Sequence, residues 1–222
     1  MRAMILAAGR GERMRPLTDH MPKPLLKVGG KSLIVWHLER LAKAGFKDVV
    51  INHAHLGQQI EDALGNGAQW GVSVQYSPEK AALETAGGIA NALHLLGSDP
   101  FLVVNGDIFT DIDFGALKIS QSNLAHLVMV DNPPQHAQGD FVLNNGLLME
   151  DGKPKLTFSG VGVYHPDLFV SVTRGEPAKL APLLKAAMAH GRVSAEHHKG
   201  AWHDIGTPQR LAELDAVLRG QH

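Results

Sequence analysis

The chain has 222 residues, 44% of them apolar and 19% charged, with 21 basic against 22 acidic side chains and a formal net charge of −1. That length buries roughly 70% of the unfolded surface without a disulfide or structural metal, and the near-neutral balance excludes the basic surface of a nucleic-acid binder. With no cysteine, thiolate zinc sites and a cysteine nucleophile are excluded, and with no apolar run near the ~18 residues of a membrane span, a cytoplasmic protein is expected.

The first predicted element is an apolar strand, Ala3–Ala7, too short to form the core of a signal peptide before Arg10. It runs into Ala8-Gly9-Arg10-Gly11-Glu12-Arg13-Met14-Arg15. Glycine lets backbone N–H groups approach a ligand and arginine supplies fixed charge, so the loop reads as a phosphate nest at a strand end. It fails two known phosphate motifs. A P-loop needs lysine after its last glycine, where Glu12 stands, and the dinucleotide fingerprint needs a third glycine, where Met14 stands. A tight turn with solvated arginines is the alternative.

Met21-Pro22-Lys23-Pro24-Leu25 follows. Proline fixes its own φ and restricts the residue before it, so Lys23 is expected on a stiff extended segment, either aimed at a ligand or on a surface turn. Ser32 is placed to cap a helix with Ile34, Leu38 and Leu41 on one face and Gly45 at its end. Strands at Asp48–Asn52, Val72–Tyr76 and Phe101–Val104 then alternate with helices at Leu56–Leu64 and Thr85–Leu96. Most of these strands are continuous apolar runs, as in a parallel sheet covered on both faces, and the β-α-β order predicts a doubly wound α/β sheet with its ligand at the strands' carboxyl ends. Asn105-Gly106-Asp107 stands at such an end, where Asp107 suits Mg²⁺ beside substrate phosphates; an Asn-Gly turn is the alternative. Asp111-x-Asp113 reads as a helix start.

After Asp113 the pattern turns β-rich, with Asn132-Pro133-Pro134-Gln135 and Asn144-Asn145-Gly146 as turns between strands at Leu124–Val130, Asp140–Leu143 and Leu147–Met149. Lys155–Tyr164 is a further strand and Ala178–His190 a helix. Thr207-Pro208 opens a last helix carrying Leu211, Leu214 and Leu218 on one side. Asp204 lies just before it, placed to face Asp107. The histidines at His53-x-His55 and His197-His198 lack a third partner at zinc spacing and read as surface or loop residues, and Trp36 and Trp70 as packing residues.

Together the blocks Leu6-Ala7-Ala8-Gly9-x-Gly11-x-Arg13-Met14-x-Pro16-Leu17-Thr18, Pro22-Lys23-Pro24-Leu25, Glu84-Thr85-Ala86-Gly87-Gly88, Asn105-Gly106-Asp107 and Asp204-Ile205-Gly206-Thr207-Pro208 carry a resemblance. In order and spacing they are similar to the sugar-1-phosphate nucleotidylyltransferases, over nearly the whole chain. The resemblance implies a Rossmann-like, GT-A-type fold: one domain over 1–222, with a nucleotide-binding part at about 1–112 and a small β-rich sugar-binding part at about 113–222. It also implies an Mg²⁺-dependent enzyme in which a sugar 1-phosphate attacks the α-phosphorus of a nucleoside triphosphate and pyrophosphate leaves. The short length and the Ser77-Pro78-Glu79 and Leu156–Tyr164 segments point within the family to UTP and N-acetylmuramic acid α-1-phosphate, in cell-wall recycling. Mannose 1-phosphate with GTP, and glucose 1-phosphate with UTP or dTTP, are the alternatives.

By the same resemblance Arg13, Lys23 and Asp107 are catalytic. Ala8, Gly9, Arg10, Gly11, Glu12, Arg13, Lys23, Ala86, Gly87, Gly88 and Asn105 bind nucleotide, and Asp107 and Asp204 hold Mg²⁺. Gly106, Gly139, Asp140, Glu150, Ser159 and Gly160 bind the sugar phosphate, with Lys153 or Lys155 reaching its phosphate. Here the chain departs from better-known members: Gly152-Lys153-Pro154 replaces Glu-Lys-Pro, and Gly160-Val161-Gly162 replaces Asn-Ala-Gly, leaving room for a bulky sugar substituent. Longer relatives append a β-helix or acyltransferase domain after the Thr207 helix. Their lack here leads to the expectation of a monofunctional monomer with no obligate protein, nucleic-acid or membrane partner.

Overall fold

The computed structural model describes residues 1–220. In the first half β1 (Ala3–Leu6) precedes a short hairpin of β2 (Lys27–Val28) and β3 (Lys31–Ser32). Then come α1 (Leu33–Lys43), β4 (Asp48–His53), α2 (Gly57–Leu64), β5 (Ser73–Pro78), α3 (Glu84–Leu96) and β6 (Phe101–Asn105). The second half holds β7 (Ile108–Thr110), β8 (Ala125–Val130), β9 (Val142–Asn144), β10 (Leu147–Met149), β11 (Thr157–Tyr164), α4 (Leu180–Met188), β12 (Val193–His197), β13 (Trp202–Asp204) and α5 (Pro208–Arg219).

Nine strands join in the order β5-β4-β1-β6-β11-β8-β12-β10-β9. The first four are mutually parallel, β11 runs antiparallel between β6 and β8, and β12 is parallel to β8. The sheet is mixed and mainly parallel, as the apolar runs predict. Alternate residues of β6 enter opposite cores: Phe101 and Val103 pack with Met4, Val50 and Ile89, while Leu102 and Val104 pack with Ile5, Ile51 and Leu38. Burying each such side chain contributes about 1.5–3 kcal/mol. Residues of α1 and α2 cover one face and of α3 and α4 the other, which is the doubly wound arrangement.

Local chemistry sets the element ends. Asn145 and Gly146 have φ of 49° and 79°, the left-handed pair of a two-residue hairpin turn joining β9 to β10. Thr207 caps α5, its hydroxyl accepting the Arg210 N–H at 3.3 Å. Ser32 holds the N-cap position of α1 but its side chain makes no capping bond.

Three expectations are corrected by the structure. Asp113 starts a turn rather than a helix: its Oδ1 accepts the Gly115 N–H and its carbonyl the Ala116 N–H, which closes the chain locally. Lys23 begins a 3-10 turn, Lys23–Leu25, so the extended backbone stops at Pro22. His53 is no surface residue; it lies buried in β4, with its ring Nε2 2.7 Å from Glu61.

His37 of α1 is fully buried, and among the described residues neither ring nitrogen makes a hydrogen bond of good geometry, the Ile108 backbone offering only a weak contact. Burial, aided by the nearby Arg40 charge, lowers its pKa from 6.5 to about 4. The unfolded chain therefore binds a proton more readily than the folded one between pH 6.5 and 4, and stability falls as pH drops through that window. We expect His37→Leu to flatten the pH dependence of urea stability by roughly 3 kcal/mol between about pH 7 and 4. An unchanged slope would show that His37 does not set it.

Candidate active site

The carboxyl ends of β1, β4 and β6 open into a cavity of about 440 Å³. Beyond β1 the chain makes its glycine loop. Gly11 sits in the left-handed region at φ 66°, and a Cβ there would come 3.0 Å from Thr18 Cγ2 and 3.3 Å from Lys23 Cβ, so glycine is required by the protein itself. Gly9 is different: a Cβ there would meet nothing within 4 Å, and it faces the cavity. Among the described residues the N–H groups of Ala8, Gly9, Arg10 and Gly11 donate to no protein acceptor. A run of unpaired donors at a strand end is an anion cradle. Arg13 and Glu12 line the same cavity from the 3-10 turn Glu12–Met14, whereas Arg10 is exposed outside it.

Packed beside the loop, Lys23 is only 8% exposed, and its Nζ donates to Asp107 Oδ2 at 2.7 Å. Asp107 follows Gly106, whose N–H donates to the Leu6 carbonyl at 2.9 Å and whose missing Cβ avoids that same oxygen. A β7–β13 ribbon pairs Asp204 with Ile108, and the Ile205 N–H donates to the Asp107 carbonyl at 2.9 Å. Asp107 lines the cavity, while Asp204 stands one register step along the ribbon and outside that lining; both are carboxylates, the oxygen donors that suit a magnesium ion. Asp204 is engaged by the Arg210 guanidinium, and Gly206 beside it lines the cavity.

A second wall was not read from the sequence. Asn52 closes the apolar run of β4; its Oδ1 accepts the Ala7 N–H at 2.9 Å, while its Nδ2 donates to Glu79 Oε1 at 2.7 Å. Glu79 Oε2 accepts the Leu83 N–H at 2.9 Å. This buried network ties the end of β1 to the entry of α3, where Leu83, Glu84 and Thr85 line the cavity. The signal was a polar residue after Val49-Val50-Ile51.

The remaining sequence candidates fall around this centre. Ala86, Gly87 and Gly88 lie buried in α3 behind the wall. A Cβ on Gly88 would meet Glu79 Oε1 and Asn52 Nδ2, and one on Gly87 would overlap the Glu176 carbonyl. Asn105 lines the cavity, and its amide packs on Gly160 of β11, where φ is 82°. Ser159 accepts the Val161 N–H at its hydroxyl and the Trp202 indole N–H at its carbonyl. Gly139 has φ 64° beside Asn132. Asp140 Oδ2 accepts the Phe158 N–H at 2.8 Å and Oδ1 lies 2.9 Å from His136 Nε2. Glu150 pairs with Lys185 at 2.6 Å on an exposed surface. Gly139, Asp140, Glu150, Ser159 and Gly160 therefore do not line the cavity around Lys23.

Residues 2–143 match the family described as Nucleotidyl transferase. The chain is 58% identical to an N-acetylmuramate alpha-1-phosphate uridylyltransferase from Neisseria meningitidis, with 98% of each chain covered. It is 34% identical to one from Caulobacter vibrioides, over 97% of this chain and 96% of that one. A Bacillus anthracis chain assigned as a glucose-1-phosphate thymidylyltransferase and crystallised with sucrose shares the fold, with a TM-score of 0.85 at 22% identity over 99% of this chain and 95% of that one. The chain belongs to the nucleotidyl transferase family.

Proposed function

We propose that the chain joins N-acetylmuramic acid α-1-phosphate to UTP, forming the UDP-sugar and releasing pyrophosphate, in the recycling of cell-wall sugar. The observation that carries this is the convergence of the Ala8, Gly9 and Gly11 backbone, Arg13, Lys23 and Asp107 on one cavity, in a chain 58% identical to a uridylyltransferase of that name.

The attacking sugar phosphate is anionic near neutral pH, so the protein needs no general base; it must orient two anions and neutralise charge. The loop N–H groups cradle the triphosphate and Arg13 faces the departing pyrophosphate. Lys23 stabilises charge that builds at the α-phosphate. Asp107 and Asp204 would hold Mg²⁺, which would offset the charge of the phosphates. Asn105 and Gly106 border the ribose or sugar, and the entry of α3, down to Ala86–Gly88, shapes the base side. In this reading residues up to about 112 serve the nucleotide, and the β-rich remainder, with Gly139, Asp140, Glu150, Ser159 and Gly160, supplies the sugar side beyond the cavity around Lys23. The absence of cysteine suits work in the reducing cytoplasm, and no helix among the described residues is long and apolar enough to cross a membrane.

A panel of UTP, GTP and dTTP against N-acetylmuramic acid, mannose and glucose 1-phosphates, read by pyrophosphate release with Mg²⁺, tests the reading. We expect UTP with the N-acetylmuramic acid phosphate to exceed every other pair at least tenfold in kcat/KM. Preference for GTP with mannose 1-phosphate would replace this reading, and release with no pair would end it.

A further inference from the structure

The third residue of α5 breaks a local rule. In a capping box the position three after the threonine carries Glu or Gln, which returns a hydrogen bond to the cap and suits the positive end of the helix dipole. It is Arg210 here, a cation where the dipole disfavours one. Its guanidinium turns back over the helix start: Nε lies 3.4 Å from Thr207 Oγ1, and Nη1 donates to Asp204 Oδ2. Gly206 makes room for this turn, since a Cβ there would lie 2.5 Å from Arg210 Nη2. The side chains of Arg210 and Asp204 are 21% and 26% exposed, so the pair is shielded from salt more than a surface pair. Lys23 holds Asp107 in the same manner. Each of the two carboxylates joined by the β7–β13 ribbon therefore carries its own protein cation.

Resting on the reading that these carboxylates take Mg²⁺, we propose that Arg210 is a positioning residue, the resident counter-ion of Asp204. It fixes that carboxylate before a metal ion binds and competes with the incoming ion. A guanidinium stays charged across the working pH range, so the exchange happens by the side chain swinging off Asp204 and not by proton loss. The site thereby resists a lone cation and favours one that comes with nucleotide phosphates to complete its coordination.

Mn²⁺ binding to the protein without nucleotide, counted by electron paramagnetic resonance of the free ion, tests this without turnover. Arg210→Gln places an ordinary capping residue at the position, and melting followed by circular dichroism checks that the variant folds. We expect it to bind Mn²⁺ at least threefold more tightly than wild type, with Arg210→Lys between the two. Asp204→Asn should bind weakly, and adding Arg210→Gln to it should bring no further change. Equal or weaker Mn²⁺ binding by Arg210→Gln overturns the proposal, as does an equal gain on top of Asp204→Asn. A silent substrate panel alongside the expected Mn²⁺ pattern would overturn the substrate reading alone.

Discussion

Lys23→Ala is expected to lower kcat about 100- to 1,000-fold, the usual effect of deleting one preorganised group that meets developing charge. The ammonium is almost fully buried and its Nζ stands 2.7 Å from Asp107, so nothing mobile in solution can replace it at that spot. Its stem also contributes, because Lys23 Cβ packs against Gly11 of the anion loop. Since the interaction strengthens as charge builds in the transition state, kcat should fall far more than KM for UTP rises. Steady-state pyrophosphate release measures both. A loss below tenfold would remove Lys23 from the chemistry.

Asn52→Ala is expected to cost roughly 2–6 kcal/mol in urea unfolding, because it strands two buried groups at about 1–3 kcal/mol each. The Ala7 N–H loses its acceptor and Glu79 Oε1 loses its donor, both in the interior. The effect reaches function through position: Ala7 leads into the anion loop, and Glu79 anchors Leu83 at the mouth of α3. KM for UTP should therefore rise severalfold in the folded fraction. A variant within about 0.5 kcal/mol of wild type would show that water replaces the amide at no cost.

What was legible in the sequence followed from burial. β1, β4 and β6 are covered on both faces, so their interiors run almost wholly apolar and the strands announce themselves. β5, at the sheet edge, mixes buried and exposed residues, and its expected bounds at Val72–Tyr76 shift to Ser73–Pro78. β12 was missed because Val193-Ser194-Ala195-Glu196-His197 is short and half polar, and becomes a strand only through pairing with distant β8. The β7–β13 ribbon escaped for the same reason: two three-residue strands, far apart in the chain, gain their identity only from each other. Within the site, the glycine and lysine blocks were readable because several short blocks occur together in one order and spacing, although each alone also fitted a turn. Asn52 and Glu79 were not, because a buried amide–carboxyl pair bridging separate segments leaves no spacing to find.

The strand order also dictates when the site can exist. β1 lies between β4 and β6, and Ala3 pairs with Leu102, nearly half the chain later. A chain leaving the ribosome therefore shows one flank of β1 bare, an apolar edge open to wrong pairings, until Phe101–Asn105 emerges. Asp107 reaches the anion loop at that moment, and Asp204 arrives only when β13 is made. Long-range parallel pairings of this kind close large loops before any contact rewards them, which puts refolding in the slow regime of about milliseconds to seconds.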